Sequence, residues 1–485
     1  MKQLKTIEYR EFSKANIRKV TSVLAPKNSV FLGLNMLSDF KIGSLISRLG
    51  TNIVGVKMAG GLKTILGIHH HFETAGKVLF AVISDTANND IYTTSDGAKS
   101  LQDDTKDLKT RFLTYLGSTA RVNGTDVVKS YTIGGGWIAT GGAFDVANMP
   151  IFSTLIEWKD RVYGAGSGSG IVKYSSIADS STKTISWTAT GTTGAGQIEI
   201  EQEDNGGDIK AFSKVPGYLL IFKQRTMKRW DGSSTYPEDL IKQGVYSQEC
   251  VCIGKDMTFF INTKGMWATN GGYPVRISKA VQDFIDNIPG ANWGNVAMYS
   301  DDEHVYASIG NITIGTDSFT NVVLKYNIGQ ETFDIFSYYQ DFRSFALYID
   351  SNSLPQIVGG DTNGQVLQLN TGYTDYDSTV KPITWSIETQ DLEFGVRGFL
   401  KSLSRILIYT YGVSIGQVLH RKDSYDSKDW RPLGKINKPI EEVKDFKAEG
   451  HWHNFKFTGT ASTGQAEFLG WDFPESSITI NDNVN

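Results

Sequence analysis

Three consecutive histidines, His69, His70 and His71, form the densest group of potential ligands in the chain. On a strand, successive side chains alternate, so His69 and His71 share a face with Glu73, a spacing that two-ligand metal binding tolerates. No Cys or further carboxylate completes a shell, so we expect a buried or interfacial aromatic role for all three. His451 and His453, which flank Trp452, are expected to behave in the same way. Glycoside hydrolysis needs paired carboxylates, or a Tyr or Glu nucleophile with an arginine cluster. Glu199, Glu201 and Glu203 alternate onto one face beside Asp204, and Asp375 and Asp377 do so on a turn. Runs of this kind are ordinarily solvated faces. TTSDGAKS lacks the spacing and the tryptophan of the S-x-D-x-G-x-x-W box of sialidase blades, and GAGSGSG at 164–170 lacks the Lys-Ser/Thr of a P-loop. We therefore expect no catalytic, cofactor-binding or metal-binding residues, no cofactor, and a protein that is not an enzyme. A binding role would instead use exposed aromatics such as Trp137, Tyr373 and Tyr376, which could stack on sugar rings.

The elements around these residues are patterned as short strands. Val358–Gly395 joins an alternating strand (Val366, Leu367, Leu369) through a Gly/Tyr/Asp-rich turn to a second one (Ile383, Trp385, Ile387). Similar units recur upstream at a spacing of about forty to fifty residues, the period of radial arrays of small antiparallel sheets. The first runs from Gly67 through Val78–Ile83 to Ile91–Gly97. Next come a short helix, expected over Asp107–Leu116, and a hairpin signal at Asn123-Gly124 between Ala120–Val122 and Val127–Tyr131. Leu155–Trp187 places Trp158, Val162 and Tyr163 on an inner face, with Trp187 as a blade-edge anchor. Ile209–Asp231 carries a type II turn signal at Pro216-Gly217, and Tyr246–Tyr273 follows. Ile277–Asn287 has the best helical stripe (Ile277, Val281, Phe284, Ile285, Ile288) with Ser278 as its cap. Ala297–Phe336 and a last unit from Phe345 bring the count to six or seven blades.

The fold expected is all-β: a propeller over 61–395, preceded by an extended docking arm over 1–60 and followed by a small β-sandwich over 396–475 and a loose tail over 476–485. The arm, interrupted by Gly33, Gly43, Gly50 and Gly55, must pack on something else, either as a strand closing the propeller's first sheet or as an intersubunit arm. Leu403–Tyr411, His453–Thr458 and Glu467–Phe473 read as sandwich strands, separated by a charged stretch near Asp423–Lys447. Fifty glycines against 11 prolines suit many tight turns, and 485 residues suffice for two or three domains. With 48 basic and 52 acidic residues the net charge is −4, which excludes a generally basic, nucleic-acid-coating surface. The only cysteines, Cys250 and Cys252, stand two apart on a strand, where a bridge would be strained, so they are expected as reduced core thiols. No stretch approaches a membrane span, and the start has no apolar signal region, which points to synthesis in a reducing cytoplasm.

Several phrases, in their order along nearly the whole chain, resemble the propeller-bearing tail nozzle, tail tubular or DNA-stabilisation proteins of short-tailed bacteriophages. They are GSLISRLGTNIVG; ARVNGTDVVKSY followed by GGGWIATG; WKDRVYGAG with VKYSSIAD and ISW; GGDTNGQVLQLNTGYTD continuing into KPITWSIETQDLEFG; and NFKFTGTASTGQAEFLGWDF. The resemblance implies a structural protein of the virion, made and assembled in the host cytoplasm. Its expected form is a homohexameric ring, or nozzle, at the distal end of the tail channel, used in genome ejection. Implied partners are adaptor and portal-side tail proteins, tail fibres, and duplex DNA that passes without tight binding. The other function class kept open is a carbohydrate- or receptor-binding propeller.

Overall fold

The computed structural model describes residues 1–485 apart from 1, 4–5, 11, 13–15, 18–28, 40–42, 59–62, 75, 86–87, 103–104, 141, 201–205, 378, 395–398, 413–415, 424–428, 462 and 482–485. Its main body is a β-propeller. Six four-stranded antiparallel sheets stand separately, and a seventh set of four strands belongs to a larger sheet. Blade 1 comprises Ile65–Glu73, Gly76–Asp85, Asn88–Thr93 and Lys99–Gln102. Blade 2 comprises Arg111–Tyr115, Ser118–Val122, Lys129–Thr132 and Gly136–Ile138. Blade 3 comprises Thr154–Trp158, Arg161–Ala165, Ile171–Tyr174 and Gly196–Glu199. Blade 4 comprises Ile209–Val215, Tyr218–Lys223, Met227–Trp230 and Glu238–Ile241. Blade 5 comprises Val251–Gly254, Met257–Asn262, Gly265–Thr269 and Val275–Arg276. Blade 6 comprises Ala297–Ser300, His304–Ile314, Asp317–Asn327 and Thr332–Ser337. Blade 7 takes Ser344–Ile349, Pro355–Gly360 and Val366–Leu369 from its own stretch and its fourth strand, Thr51–Ile53, from near the N-terminus. The first strands of the seven units neighbour one another in order, and that of blade 7 returns to that of blade 1, so the circle is closed.

Apolar density decides which strands are covered on both faces. Of the runs expected to be covered on both faces, Phe259–Ile261 and Val322–Tyr326 are buried throughout, and Val78–Ile83 and Tyr218–Phe222 are buried except at their first residues, Val78 and Tyr218, which are half-buried. The turns between first and second strands use left-handed backbone. Leu116-Gly117, Lys159-Asp160 and Lys255-Asp256 have positive φ at both residues, the type I′ geometry that matches strand twist. Gly217 (φ 86°) follows Pro216 in the turn of blade 4, as the type II signal requires.

A two-layer body adjoins blade 6. Leu32–Leu34 pairs with Thr332–Ser337 on one side and Thr379–Glu388 on the other, and the sheet continues through His453–Ala461, Gly416–Lys422 and Arg431–Ile436. Thr379–Glu388, expected in the last propeller unit, is therefore a strand of this layer. The facing sheet runs from Lys2–Gln3 through Ile478–Asn481, Leu400–Tyr411, Glu467–Phe473 and Ser44–Ser47 to Met36–Asp39, with Ile7–Tyr9 on Glu467–Phe473 and Ile440–Gly450 on Leu400–Tyr411. One core lies between them, where Trp385 and Phe457 meet Ile408, Phe468 and Trp471, with Phe12 and Leu45 from the N-terminal stretch.

Several local expectations change. Asp107–Leu116 holds the strand Arg111–Tyr115 where a helix was expected, because Thr114 and Phe112 are needed against blade 1. The helix expected over Ile277–Asn287 is split into a 3-10 turn, Ser278–Ala280, and a short α-helix, Gln282–Asp286. Ser278 does not cap it: its hydroxyl accepts from Met266 N and donates to Gln282 Oε1. Within the charged stretch lie Arg431–Ile436 and the start of Ile440–Gly450, strands most of whose residues are exposed or half-buried. Ile478–Asn481, in the part expected as a loose tail, pairs with Leu400–Leu403.

Candidate functional site

The histidine triplet occupies the first strand of blade 1, and neighbouring blades claim each ring. His71 is fully buried, its Nδ1 lies 2.7 Å from Thr119 Oγ1, and its Nε2 lies 3.2 Å from Glu73 Oε1. His69 Nε2 lies 2.7 Å from Thr114 Oγ1, which is itself 2.6 Å from Thr119 Oγ1, and the His69 ring stacks on Phe112. Glu73 Oε1 also accepts from Ile133 N. On the opposite face His70 Nδ1 accepts from Ile349 N in blade 7, which puts the neutral ring's proton on Nε2. Burial pushes His69 down to about 3 and His70 to about 4, so both are neutral near pH 7. Thr119, His71 and Glu73 repeat the order hydroxyl, imidazole, carboxylate of a hydrolase triad. Thr119 and His71 have no exposed surface, so no substrate reaches the hydroxyl, and what the arrangement does is satisfy polar groups along the seam between blades 1 and 2. Among the described residues no group of three His, Cys, Asp or Glu is placed to hold a metal ion.

Across the propeller's centre a second polar group is assembled from the 3-10 turn Gln248–Cys250, which leads into blade 5. Glu249 receives Arg111 of blade 2 through both carboxylate oxygens, Nε to Oε1 at 2.7 Å and Nη2 to Oε2 at 2.9 Å. Gln248 Oε1 accepts from Thr154 Oγ1 of blade 3 and Phe212 N of blade 4, while its Nε2 donates to Phe212 O. Burial alone would raise the Glu249 carboxyl, but Arg111 and Lys109 outweigh it and hold the group well below the usual range. Two side chains of one turn thus tie blade 5 to blades 2, 3 and 4. Cys250, at the end of that turn, is buried, and both cysteines are free thiols raised by burial.

The remaining expected residues are scattered. His453 meets His420, not His451, with Nε2 of His420 3.0 Å from Nδ1 of His453, and burial lowers them to about 3 and about 4 respectively. Glu199 is exposed at the outer edge of blade 3, whereas Glu201, Glu203 and Asp204 lie outside the described residues. Asp375 is not a solvated turn carboxylate: it is buried in a two-pronged pair with Arg48 (2.8 and 2.5 Å), whose guanidinium lies 3.9 Å over the Tyr338 ring. Trp137 packs on Phe80 and Tyr131 between blades 1 and 2, and Tyr376 packs against the blade 6 and 7 core, which leaves Tyr373 as the exposed member of the three proposed stacking residues.

Among the described residues the most exposed large apolar or aromatic side chains lie elsewhere, on the rim of blades 4 and 5: Tyr236 is 72% exposed and Tyr273 is 77% exposed. Their only signal in the sequence is an Asp/Asn-Gly turn just before each, in RWDGSSTY and ATNGGY, which does not mark them as exposed. Arg229 links the two loops. Its Nε donates to Glu238 Oε2 at 2.8 Å, its Nη1 to Gly271 O at 2.7 Å, and the guanidinium stands 5.0 Å over the Tyr218 ring.

No family model matches the chain, and no curated protein matches it. Among solved structures, YCF48 from Cyanidioschyzon merolae aligns with 66% of this chain and 98% of its own, at 11% identity and a TM-score of 0.39. The extracellular domain of a putative one component system from B. thetaiotaomicron aligns over 88% of this chain at 11% identity and a TM-score of 0.44, and is itself covered over 62%, less than two thirds of its length.

Proposed function

We propose that this chain is a structural component of a short-tailed bacteriophage tail, a subunit of a nozzle ring around the DNA exit channel that attaches on the adaptor and portal side. The observation that carries this reading is mechanical. The described strands of the first 53 residues belong to both bodies: Thr51–Ile53 completes blade 7, while Lys2–Gln3, Ile7–Tyr9, Leu32–Leu34, Met36–Asp39 and Ser44–Ser47 are built into the two layers. The buried Arg48–Asp375 pair sits where the segment passes from one to the other. A body laced in this way resists shear between its parts, as a ring under ejection load must. The resemblance carried by the ordered phrases of the sequence supplies the phage context, and the net charge of −4 suits a conduit that does not grip phosphates.

Mass photometry and electron micrographs of the purified chain test the reading. Closed six-membered rings are expected, with no micromolar binding of duplex DNA at physiological salt. A strictly monomeric particle at every concentration, or tight duplex binding, would overturn it. A second reading, a carbohydrate- or receptor-binding propeller, is favoured by one observation, the exposed tyrosines on blades 4 and 5.

A further inference from the structure

The loops on the rim of blades 4 and 5 are closed by hydrogen bonds of their own. Asp231 closes the loop before Tyr236 by accepting from the backbone N and hydroxyl of both Ser233 and Ser234, at 2.8–2.9 Å. Trp230 Nε1 donates to Ser234 O at 2.7 Å beneath it. In blade 5, Thr269 Oγ1 donates to Gly272 O and accepts from Gly271 N, fixing the loop before Tyr273. Gly271 has φ 104°, and a Cβ there would stand 3.1 Å from the Tyr218 ring, so only glycine lets this loop lie against that ring. Arg229 then bonds the two loops together through Gly271 O and Glu238.

The result packs the Tyr218 ring against Gly271 and the Arg229 guanidinium and leaves two tyrosines in solvent: Tyr273, within electrostatic reach of Arg229, and Tyr236, two residues before Glu238. Glu238 is bound to Arg229 through one oxygen, and its side chain is 63% exposed. Exposed tyrosines with apolar faces gain nothing for folding, since each leaves its ring in water. Exposed aromatic rings carried on hydrogen-bonded turns with charged donors and acceptors suit one ligand chemistry well. A pyranose has an apolar C–H face that stacks on such rings and edge hydroxyls that bond to carboxylate and guanidinium. Preorganised loops remove the ordering cost that makes shallow sites weak.

We propose that Tyr273, Tyr236, Arg229 and Glu238 form a saccharide-binding subsite on the rim of blades 4 and 5, taking a pyranose unit of a polysaccharide by stacking on the tyrosine rings, with hydroxyls bonded to Glu238 and Arg229. This deepens the second reading above and rests on it for this surface; it requires nothing of the ring assembly. The experiment applies the full chain to an array of neutral and amino-sugar oligosaccharides, bacterial surface-polysaccharide fragments included, and repeats hits with Tyr236→Ala/Tyr273→Ala and with Tyr273→Trp. Retention of a glycan by the parent, at least tenfold weaker binding by the double alanine variant and retained binding by the tryptophan variant are expected, with unchanged melting temperatures. An array without hits, or hits that bind parent and double variant alike, would sink the site while leaving ring formation to its own test. A change in oligomeric mass in the double variant would identify the surface as a protein interface and also exclude the proposal.

Discussion

Glu249, carried by the turn that enters blade 5, holds Arg111 of blade 2 by two parallel hydrogen bonds of 2.7 and 2.9 Å. These blades are not neighbours in the circle, so the pair braces the propeller across its centre, beyond what adjacent sheets supply. Removing one partner of a largely buried pair strands the other charge. Glu249→Gln or Arg111→Met should each lower unfolding free energy by about 3 kcal/mol. A denaturant titration with the double variant checks it: if Arg111→Met/Glu249→Gln is no more stable than the sum of the single losses, the two residues are not coupled.

Truncation is the second test. An N-terminal arm that only docked on a neighbour, one of the two roles the sequence leaves open for residues 1–60, could lose residues 1–55 without harm to folding. The structure predicts the opposite, since the cut removes the closing strand of blade 7 and strands from both layers. Loss of soluble, cooperatively melting protein is expected, measured by circular dichroism. A truncated chain with the parent's melting temperature would refute this.

The third prediction concerns acid. His69 and His453 are depressed to about 3, and His70 and His420 to about 4, from an ordinary value of 6.5, all chiefly by burial. A depressed imidazole binds its proton more readily in the unfolded chain, so its contribution is complete above pH 6.5 and is lost as pH falls toward 4. Asp334 and Asp361 are raised by burial to about 6 and act in the opposite sense between 6 and 3.8. Four imidazoles against two carboxyls leave a net decline. The melting temperature should fall steadily from pH 7 to pH 4.5, with a shallower fall in His420→Gln/His453→Gln. A flat profile would show that these rings are hydrated.

Turn chemistry offers a gain. Lys255 and Asp256 occupy left-handed backbone at φ 48° and 59°, which costs an ordinary L-residue about 1 kcal/mol. Replacing the pair by Asn-Gly should raise stability by about 1 kcal/mol, because both residues suit this turn and the Lys255 N–H bond to Asp302 is a backbone one that survives. A drop in the melting temperature would mean that the side chains, not the turn, set the energy here.

Much of the propeller was legible because its signals are local. Alternation between turns located the strands around Phe80, Ile221 and Phe260, and Pro216-Gly217 announced its turn. Long-range partnership was not legible. Nothing near Asp375 in sequence says that Arg48 neutralises it, so a carboxylate on a Gly/Tyr/Asp turn looked solvated when it is buried. Likewise Arg111 lay in a charged run that imitates a short helix, and only the fold reveals the Glu249 it must reach. The shared face of His69, His71 and Glu73 was visible from strand alternation, but the threonines that satisfy the rings come from another blade. The exposed tyrosines were missed for a different reason: exposure is a property of the surroundings, and a Tyr beside a turn has the same letters whether packed or free.

The lacing of the N-terminal segment has a consequence for biogenesis. A ribosome delivers Thr51–Ile53 long before Val366–Leu369, the strand it pairs with, and Lys2–Gln3 long before its partner Ile478–Asn481. These early strands must therefore wait, unpaired, until their partners are made, and the intermediates in between carry open sheet edges. Translation speed and the holding of nascent chains should govern the yield of this protein more than its final stability does, and a circular permutant that begins after residue 53, with the displaced segment joined to the C-terminus, should be the easier chain to produce.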